Sequence, residues 1–297
     1  MLNGIINIYK QKGYTSHDVV AKARRILSEK KIGHTGTLDP EAEGVLPICI
    51  GKATRVVPYL TDMDKCYEAE VILGAYTTTE DATGEIVQQF EVGVNKEQVE
   101  KVVKSFEGSY QQTPPMYSAI KVKGVRLYEL ARKGIVVERP SRQVTIYKCE
   151  VKEWFSASRF KISVKCSKGT YIRTLCTDIG RILGCGAHMG HLLRTQVGDF
   201  SLEESISLDF LEDNRDKVLT YLYSYEEVFK AYPAVKIKSN GAKLLSNGNK
   251  LYFHQVIGDG EWKQADIVRV YTLEGDFAAL YKVHPVEELL AVERMFL

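Results

Sequence analysis

Gln143-Val-Thr-Ile-Tyr-Lys-Cys-Glu-Val-Lys-Glu-Trp154 and Phe160-Lys-Ile-Ser-Val-Lys-Cys166 are two strand-like runs separated only by a short turn. The second alternates, with Phe160, Ile162, Val164 and Cys166 on one side, as a half-buried strand does. A helix is predicted from about 171 to 183, stopped by Gly184. Two strands joined by a turn pair antiparallel, whereas a parallel pair needs a long crossover.

The pattern extends upstream. In residues 67–73, Tyr67, Ala69, Val71 and Leu73 alternate with Glu68, Glu70 and Ile72, which predicts another half-buried strand. Asn95 caps a predicted helix whose inner face is Val99, Val102, Val103 and Phe106, closed by Gly108. Residues 113–125 read as a Pro- and Gly-marked loop, followed by a short helix ending at Gly134. A first helix is expected over 16–30, with Val19, Val20, Ala23, Ile26 and Leu27 on one face and Thr15 or Ser16 as its cap. Between them, 33–52 reads as one long loop punctuated by Gly33, Gly36, Pro40, Gly44, Pro47 and Gly51. Beyond Pro233, short strand-like runs at 251–257, 266–273 and 277–283 are separated by turns such as Asn247-Gly248-Asn249. Strict βαβ alternation is absent, so the fold class is α+β. A main domain over 1–232 and a small β-rich domain over 233–297 are expected.

With 297 residues, 44% hydrophobic and 26% charged, the chain can bury a substantial core. Its net charge of +2 does not itself announce a polyanion-binding protein. The charges are nevertheless segregated. Residues 121–142 carry Lys121, Lys123, Arg126, Arg132, Lys133, Arg139 and Arg142 against Glu129 and Glu138, and 159–173 carry five basic residues and no acid. Such clustering suits a face that meets nucleic acid, though a mixed, solvated surface is as ordinary a reading. The six cysteines show no CxxC pair, no apolar run approaches the ~20 residues of a membrane span, and the opening residues do not resemble a signal peptide. A cytoplasmic setting with free thiols is the expectation.

Three constellations could carry chemistry. Gly33-His34-Thr-Gly36-Thr-Leu-Asp39-Pro40-Glu-Ala-Glu43-Gly44-Val-Leu-Pro47 matches neither a phosphate loop nor a dinucleotide fingerprint. It does offer a carboxylate, Asp39, restrained by Pro40 among glycines that admit a large ligand. An Asp-Pro turn with a capping role is the commoner meaning of such a pair. Cys185, His188 and His191 have a spacing that suggests metal ligands, but no fourth partner motif accompanies them. In Lys168-Gly-Thr-Tyr171-Ile-Arg173, Tyr171 and Arg173 point the same way if the segment is extended. Arg173 could then pair with a carboxylate of the loop and lower its pKa.

Together these pieces resemble the bacterial tRNA pseudouridine synthase B family. The Gly33–Pro47 loop is similar to its catalytic loop. Lys65-x-Tyr67 with Thr77-x-Thr79-x-Asp81 and Gly84 resembles a second motif, and Gln112-x-Pro-Pro115-x-Tyr117-Ser-Ala-x-Lys121-x-x-Gly124 a third. Lys168-Gly-Thr-Tyr171-Ile-Arg173 resembles a fourth and Leu193-Arg194-Thr195 a fifth. The motifs occur in family order over about 4–200. Thr195 departs from the pattern, since many relatives carry a second Arg there. The resemblance implies a pseudouridine-synthase-type mixed, largely antiparallel sheet with peripheral helices, followed by a small C-terminal β-barrel-like, PUA-like RNA-binding domain. It implies isomerisation of the T-loop uridine 55 of tRNA after base flipping, with no cofactor, no metal and no obligate protein partner, by a monomer. It further implies that Asp39 is the catalytic carboxylate, that Arg173 pairs with it and that Tyr67 lies against the target base. His34 would fill the space the flipped nucleotide leaves, and Tyr171 and Leu193 would line the base pocket.

Three competing readings remain at this point: a relative acting only within a guide-RNA particle, a non-catalytic RNA-binding or folding module, and a two-carboxylate glycoside hydrolase using Glu41 or Glu43.

Overall fold

The computed structural model describes residues 2–297. The hairpin Arg142–Ser156 with Arg159–Cys166 lies in one large sheet. Lys65–Leu73 pairs with Arg159–Cys166, and Ala187–Val197, Glu43–Ile50 and Gly4–Lys10 follow outward in that order. Gly108–Gln112 closes the other edge beside Arg142–Ser156. Along this path every pairing is antiparallel except that of Ala187–Val197 with Glu43–Ile50. The fold is α+β, a mixed and largely antiparallel sheet with peripheral helices.

The alternation of Phe160, Ile162 and Val164 does the work expected of it. All three are fully buried beside Ala69, Val71 and Leu73, beneath the helices Lys96–Ser105 and Ile172–Leu183. Each such side chain contributes on the order of 1.5–3 kcal/mol by leaving water. Asn95 forms a capping box with Gln98, and Gly184 ends Ile172–Leu183 at φ 72°. The first helix, Ser16–Leu27, carries the expected buried face and a capping box from Thr15. It stops earlier than the pattern predicts, because Ser28 turns left-handed at φ 54°.

The reading of 33–52 as one loop is corrected. Glu43–Ile50 is a central strand, and only the segment between the strand Ile32–His34 and Glu43 is loop. Val45, Leu46, Ile48, Cys49 and Ile50 are buried on both faces of the sheet, so the strand shows no alternation.

After Pro233, six short strands form a second sheet in the order Leu251–Tyr252, Leu289–Met295, Phe277–His284, Ile267–Tyr271, Ala234–Ile237 and Val256–Ile257. Ala234–Ile237 and Leu289–Met295 lie outside the runs read from sequence. This sheet has its own core around Trp262, Val268, Val270 and Tyr281. A further cluster joins its Phe277, Leu280 and Phe296 to Ile5, Val45, Cys49 and Phe229 of the main body.

Candidate functional site

The loop between His34 and Glu43 is fixed from within. Thr35, fully buried, donates through both its N–H and its hydroxyl to the Pro47 carbonyl. Leu38 is buried in the core, and its N–H donates to Ser16 Oγ at 2.9 Å. The Ala42 N–H closes a turn onto the Asp39 carbonyl. Lys10 Nζ ties the loop to its neighbours by donating to the carbonyls of Gln11, Tyr14 and Pro40. Burial pushes the Lys10 pKa down to about 8, with Glu43 and Asp39 pulling the other way. At Gly44, with φ +108°, a Cβ would stand 2.2 Å from the Arg194 carbonyl oxygen, so the strand can approach only as glycine.

This framing presents Asp39 at the base of a cleft of about 820 Å³. Arg173 grips it with two hydrogen-bonding contacts, Nε to Oδ2 at 2.9 Å and an Nη to Oδ1 at 3.3 Å. The guanidinium is itself held by the carbonyls of Thr79 (3.0 Å) and Tyr117 (2.8 Å), which leaves it little freedom. The Arg173 side chain is only 5% exposed, whereas Asp39 keeps 40% of its side-chain surface open, so the carboxylate and not the cation faces the cleft. Asp81 lies 3.9 Å from the same Arg173 Nε, fixed through Oδ1 by the hydroxyls of Thr79 and Thr83.

The expectation that Arg173 lowers the Asp39 pKa is met only in sign of contribution. Desolvation by the surrounding protein outweighs Arg173, and Asp81 adds to it, so the carboxyl stands above its ordinary range.

Tyr67 lies in Lys65–Leu73, on the same face as Ala69 and Val71, and lines the cleft. Tyr171 lines it too, under the Arg142 guanidinium at 4.7 Å from the ring centre. The local geometry differs from that expected: Tyr171 is the N-cap of Ile172–Leu183 and Arg173 lies in its first turn, yet both reach the cleft. The Gln112 side chain clamps Tyr171 by donating to its carbonyl and accepting from its N–H. His34 sits outside the cleft wall at the end of Ile32–His34, its ring 5.3 Å from that of His17. Burial lowers the His34 pKa, with His17 and Arg194 contributing, which favours the neutral ring.

The structure places the Leu193 side chain apart from the other residues expected at the base pocket. In the register of Ala187–Val197, Leu193 is opposite Glu68, while Leu192 and Arg194 are opposite Ala69 and Tyr67. Side chains alternate along a strand, so Leu192 and Arg194 line the cleft. Leu193 lines a separate hollow on the other face with Glu68, Glu70, Arg159 and His191.

Several residues of the cleft carried no role in the sequence reading. Arg194 is 1% exposed. It donates to the carbonyls of Val45 (2.7 Å) and Gly36 (3.2 Å) and lies beside Tyr67, its cross-strand partner. Lys65 Nζ donates to Thr61 and Met63 carbonyls, and burial, with Arg194 nearby, brings its pKa down to about 8. Both lie inside the motifs named above, but only their burial distinguishes them from surface cations.

Of the two basic stretches, one flanks the cleft. Lys121–Val122 and Val125–Arg126 form a hairpin beside cleft residues Tyr117, Ser118, Tyr128 and Arg132. The other stretch is largely neutralised: Arg159 pairs with Glu70, Lys161 with Glu68 and Glu153, and Lys168 with Asp62. The Cys185, His188 and His191 spacing is also absorbed by structure. Cys185 is buried, His188 Nδ1 lies 3.1 Å from the Ala75 carbonyl and His191 Nε2 lies 2.7 Å from Glu43. Among the described residues no group of three or more His, Cys, Asp or Glu is placed to hold a metal.

Comparisons with known proteins agree with this geometry. A family described as "TruB family pseudouridylate synthase (N terminal domain)" matches residues 24–172, and "tRNA pseudouridylate synthase B C-terminal domain" matches 173–225. The chain is 45% identical to tRNA pseudouridine synthase B of Bacillus pumilus, over 98% of this chain and 96% of that one. It is 46% identical to the protein of the same name from Bacillus subtilis, over 97% and 95%. Among solved structures, a chain of a Cbf5-Nop10-Gar1 complex shares 32% identity with a TM-score of 0.74, covering 99% of this chain and 85% of its own. The chain therefore belongs to the TruB family of pseudouridylate synthases.

Proposed function

We propose that this isomerase converts uridine 55, in the T-loop of tRNA, to pseudouridine, with Asp39 as the group the reaction cannot do without. The observation that carries the reading is Asp39 itself: a carboxylate clamped by a buried Arg173, open to a deep cleft and flanked by Tyr67 and Tyr171. The reaction breaks the C1′–N1 bond, turns the uracil and joins C1′ to C5. It exchanges no electrons and takes up no external reactant, so an ionised carboxylate and an aromatic wall suffice. Reaching C1′ requires extruding the nucleotide, and the cleft is wide enough for a flipped base. His34 backs the space the nucleotide leaves, and Leu192 takes the wall position first assigned to Leu193.

The exposed basic hairpin at 121–126 and the unit at 233–297 supply backbone contacts to the folded RNA. Exposed Lys236, Lys243 and Lys250, and the stacked Tyr252 and His254 rings, support an RNA-binding, PUA-like role for the latter. Identity of 45–46% to bacterial tRNA pseudouridine synthase B proteins, against 29–32% to Cbf5 chains, favours a stand-alone monomer in the cytoplasm over a subunit of a larger particle. Among the described residues no helix is long and apolar enough to cross a membrane.

The test is to treat an unmodified tRNA transcript with purified protein and map pseudouridine. Position 55 should be converted without added cofactor. Asp39→Asn keeps the shape but cannot act as nucleophile or base, so it should bind tRNA within a few fold and fail to turn over. Turnover by a sequence-verified Asp39→Asn protein would remove Asp39 from the chemistry.

A further inference from the structure

Arg194 is a buried cation with no carboxylate partner. Its hydrogen bonds run to two backbone carbonyls, those of Val45 and Gly36. Tyr67 and Arg194 are direct cross-strand partners on the cleft face. A guanidinium only donates, so the Tyr67 oxygen can meet its neighbour Arg194 only as an acceptor. The phenol's own proton is then free to point into the cleft, and the adjacent positive charge favours any negative charge that develops on that oxygen. An unpaired buried cation is costly unless something compensates it. Here the group nearest to supplying an anion is the phenol of Tyr67.

We infer that Arg194 is a positioning residue that acts through Tyr67, holding the phenol as a proton shuttle and stabilising its transient anion during the isomerisation. The inference rests on the assignment of the chain as a pseudouridine synthase and deepens it. When the C1′–N1 bond breaks, the electron pair stays on N1. The Tyr67 hydroxyl gives its proton to N1, forming N1–H and a tyrosinate beside Arg194. After C1′ joins C5, that carbon still carries its hydrogen. The tyrosinate takes this proton, the C–H electron pair returns to the ring, and the phenol is restored. One proton moves from C5 to N1 and nothing else is consumed. The charged and titratable groups facing the hydroxyl are Arg194 from Ala187–Val197, Asp39 from the loop and Cys166 from the neighbouring strand. Arg194 is the cation among them and the direct cross-strand neighbour of Tyr67. Burial keeps the resting phenol protonated, which is the form the first transfer needs.

The same arginine ties Gly36 to Val45, so a purely structural role must be separated from the electrostatic one. A double-mutant cycle does this. Arg194→Met removes the charge, and Arg194→Lys preserves it at a shifted point should the Met variant not fold. Single-turnover rates at saturating enzyme, with tRNA affinity measured alongside, are read in the Tyr67 and Tyr67→Phe backgrounds. The expected result is a tenfold or greater slowing by either Arg194 substitution when Tyr67 is present, with tRNA affinity within threefold. In Tyr67→Phe, itself slowed at least a hundredfold, the Arg194 substitutions should cost less than twofold more. Equal slowing in both backgrounds, or no slowing when Tyr67 is present, overturns the inference while leaving Asp39 chemistry intact. A Tyr67→Phe rate near wild type removes the shuttle altogether. Failure of Asp39→Asn to abolish turnover is the separate sign that the enzymatic reading itself is wrong.

Discussion

At the scale of single residues, the Asp39–Arg173–Asp81 group would set the pH at which the enzyme works if Asp39 has the role proposed for it. The protonated carboxyl would then be inactive, and its pKa is raised by desolvation, lowered by Arg173 and raised again by Asp81. Activity is therefore lost as pH falls through a value above the ~3.9 of an ordinary Asp. Asp81→Asn deletes one of the raising influences. It keeps the oxygen that accepts from the Thr79 and Thr83 hydroxyls, so the loop should hold its shape. The acid limb of the single-turnover rate should then move to lower pH, and a limb that stays put or moves up would refute this account. The contact between Asp39 and Arg173 was readable from the motifs. The net direction of the Asp39 shift was not, because sequence shows the cation but neither the desolvation nor the second carboxylate beside it.

At the scale of elements, the hairpin Lys121–Val122 with Val125–Arg126 places Lys121 directly opposite Arg126. Like charges facing each other across a ladder are destabilising, so their presence calls for a polyanion. Lys121→Gln with Arg126→Gln should reduce the slope of log affinity for tRNA against log salt by about 1–2, because every cation withdrawn from a phosphate leaves about one counterion fewer to be released on binding. The melting temperature should hold or rise. An unchanged slope would place the RNA on another surface. The hairpin's neighbours show why some elements were legible and others not. Arg159–Cys166 is covered on one face, so its burial alternates and the pattern survives in the sequence, and Lys65–Leu73 keeps its apolar alternation although Glu70 on the other face is buried too. Glu43–Ile50 is buried on both faces and contains Pro47, so it resembles loop and core at once. The side of the sheet on which Leu193 lies was not legible, because a motif names residues without their phase. Register shifts in Ala187–Val197, between Met189 and Leu192 and again between Arg194 and Gln196, prevent that phase from being counted from either end.

At the scale of the whole molecule, a change of texture after Pro233 suggested a small β-rich domain, and the packing joins that segment firmly to the rest. Phe296, 1% exposed, stacks on Phe277 with centroids 4.9 Å apart and on Tyr225 at 5.5 Å, and meets Phe229 at 5.7 Å. Arg55 of the main body donates to the carbonyls of Met295 and Leu297, and Arg269 of the small sheet pairs with Glu226. Composition marks where a second sheet begins but not how much apolar surface the two share, since Phe277 and Phe296 become neighbours only through folding. Truncating at residue 233 uncovers Ile5, Val45 and Cys49 of the main body as well as removing RNA-binding surface, so weakened tRNA binding in such a truncation does not isolate an RNA-binding role. The coupling itself is measurable through Phe296→Ala, which empties the centre of the shared cluster and should cost about 3–5 kcal/mol, the range for deleting a buried Phe. Because the cluster is common to both sheets, unfolding should remain one transition shifted to lower temperature, the same by calorimetry and by Trp262 fluorescence read in a Trp154→Phe background. Trp262 reports on the small sheet's own core, remote from Phe296's aromatic neighbours. Two separated transitions in the wild-type protein, or a fluorescence midpoint unmoved by Phe296→Ala, would mean that the sheets unfold independently and that the shared cluster couples nothing.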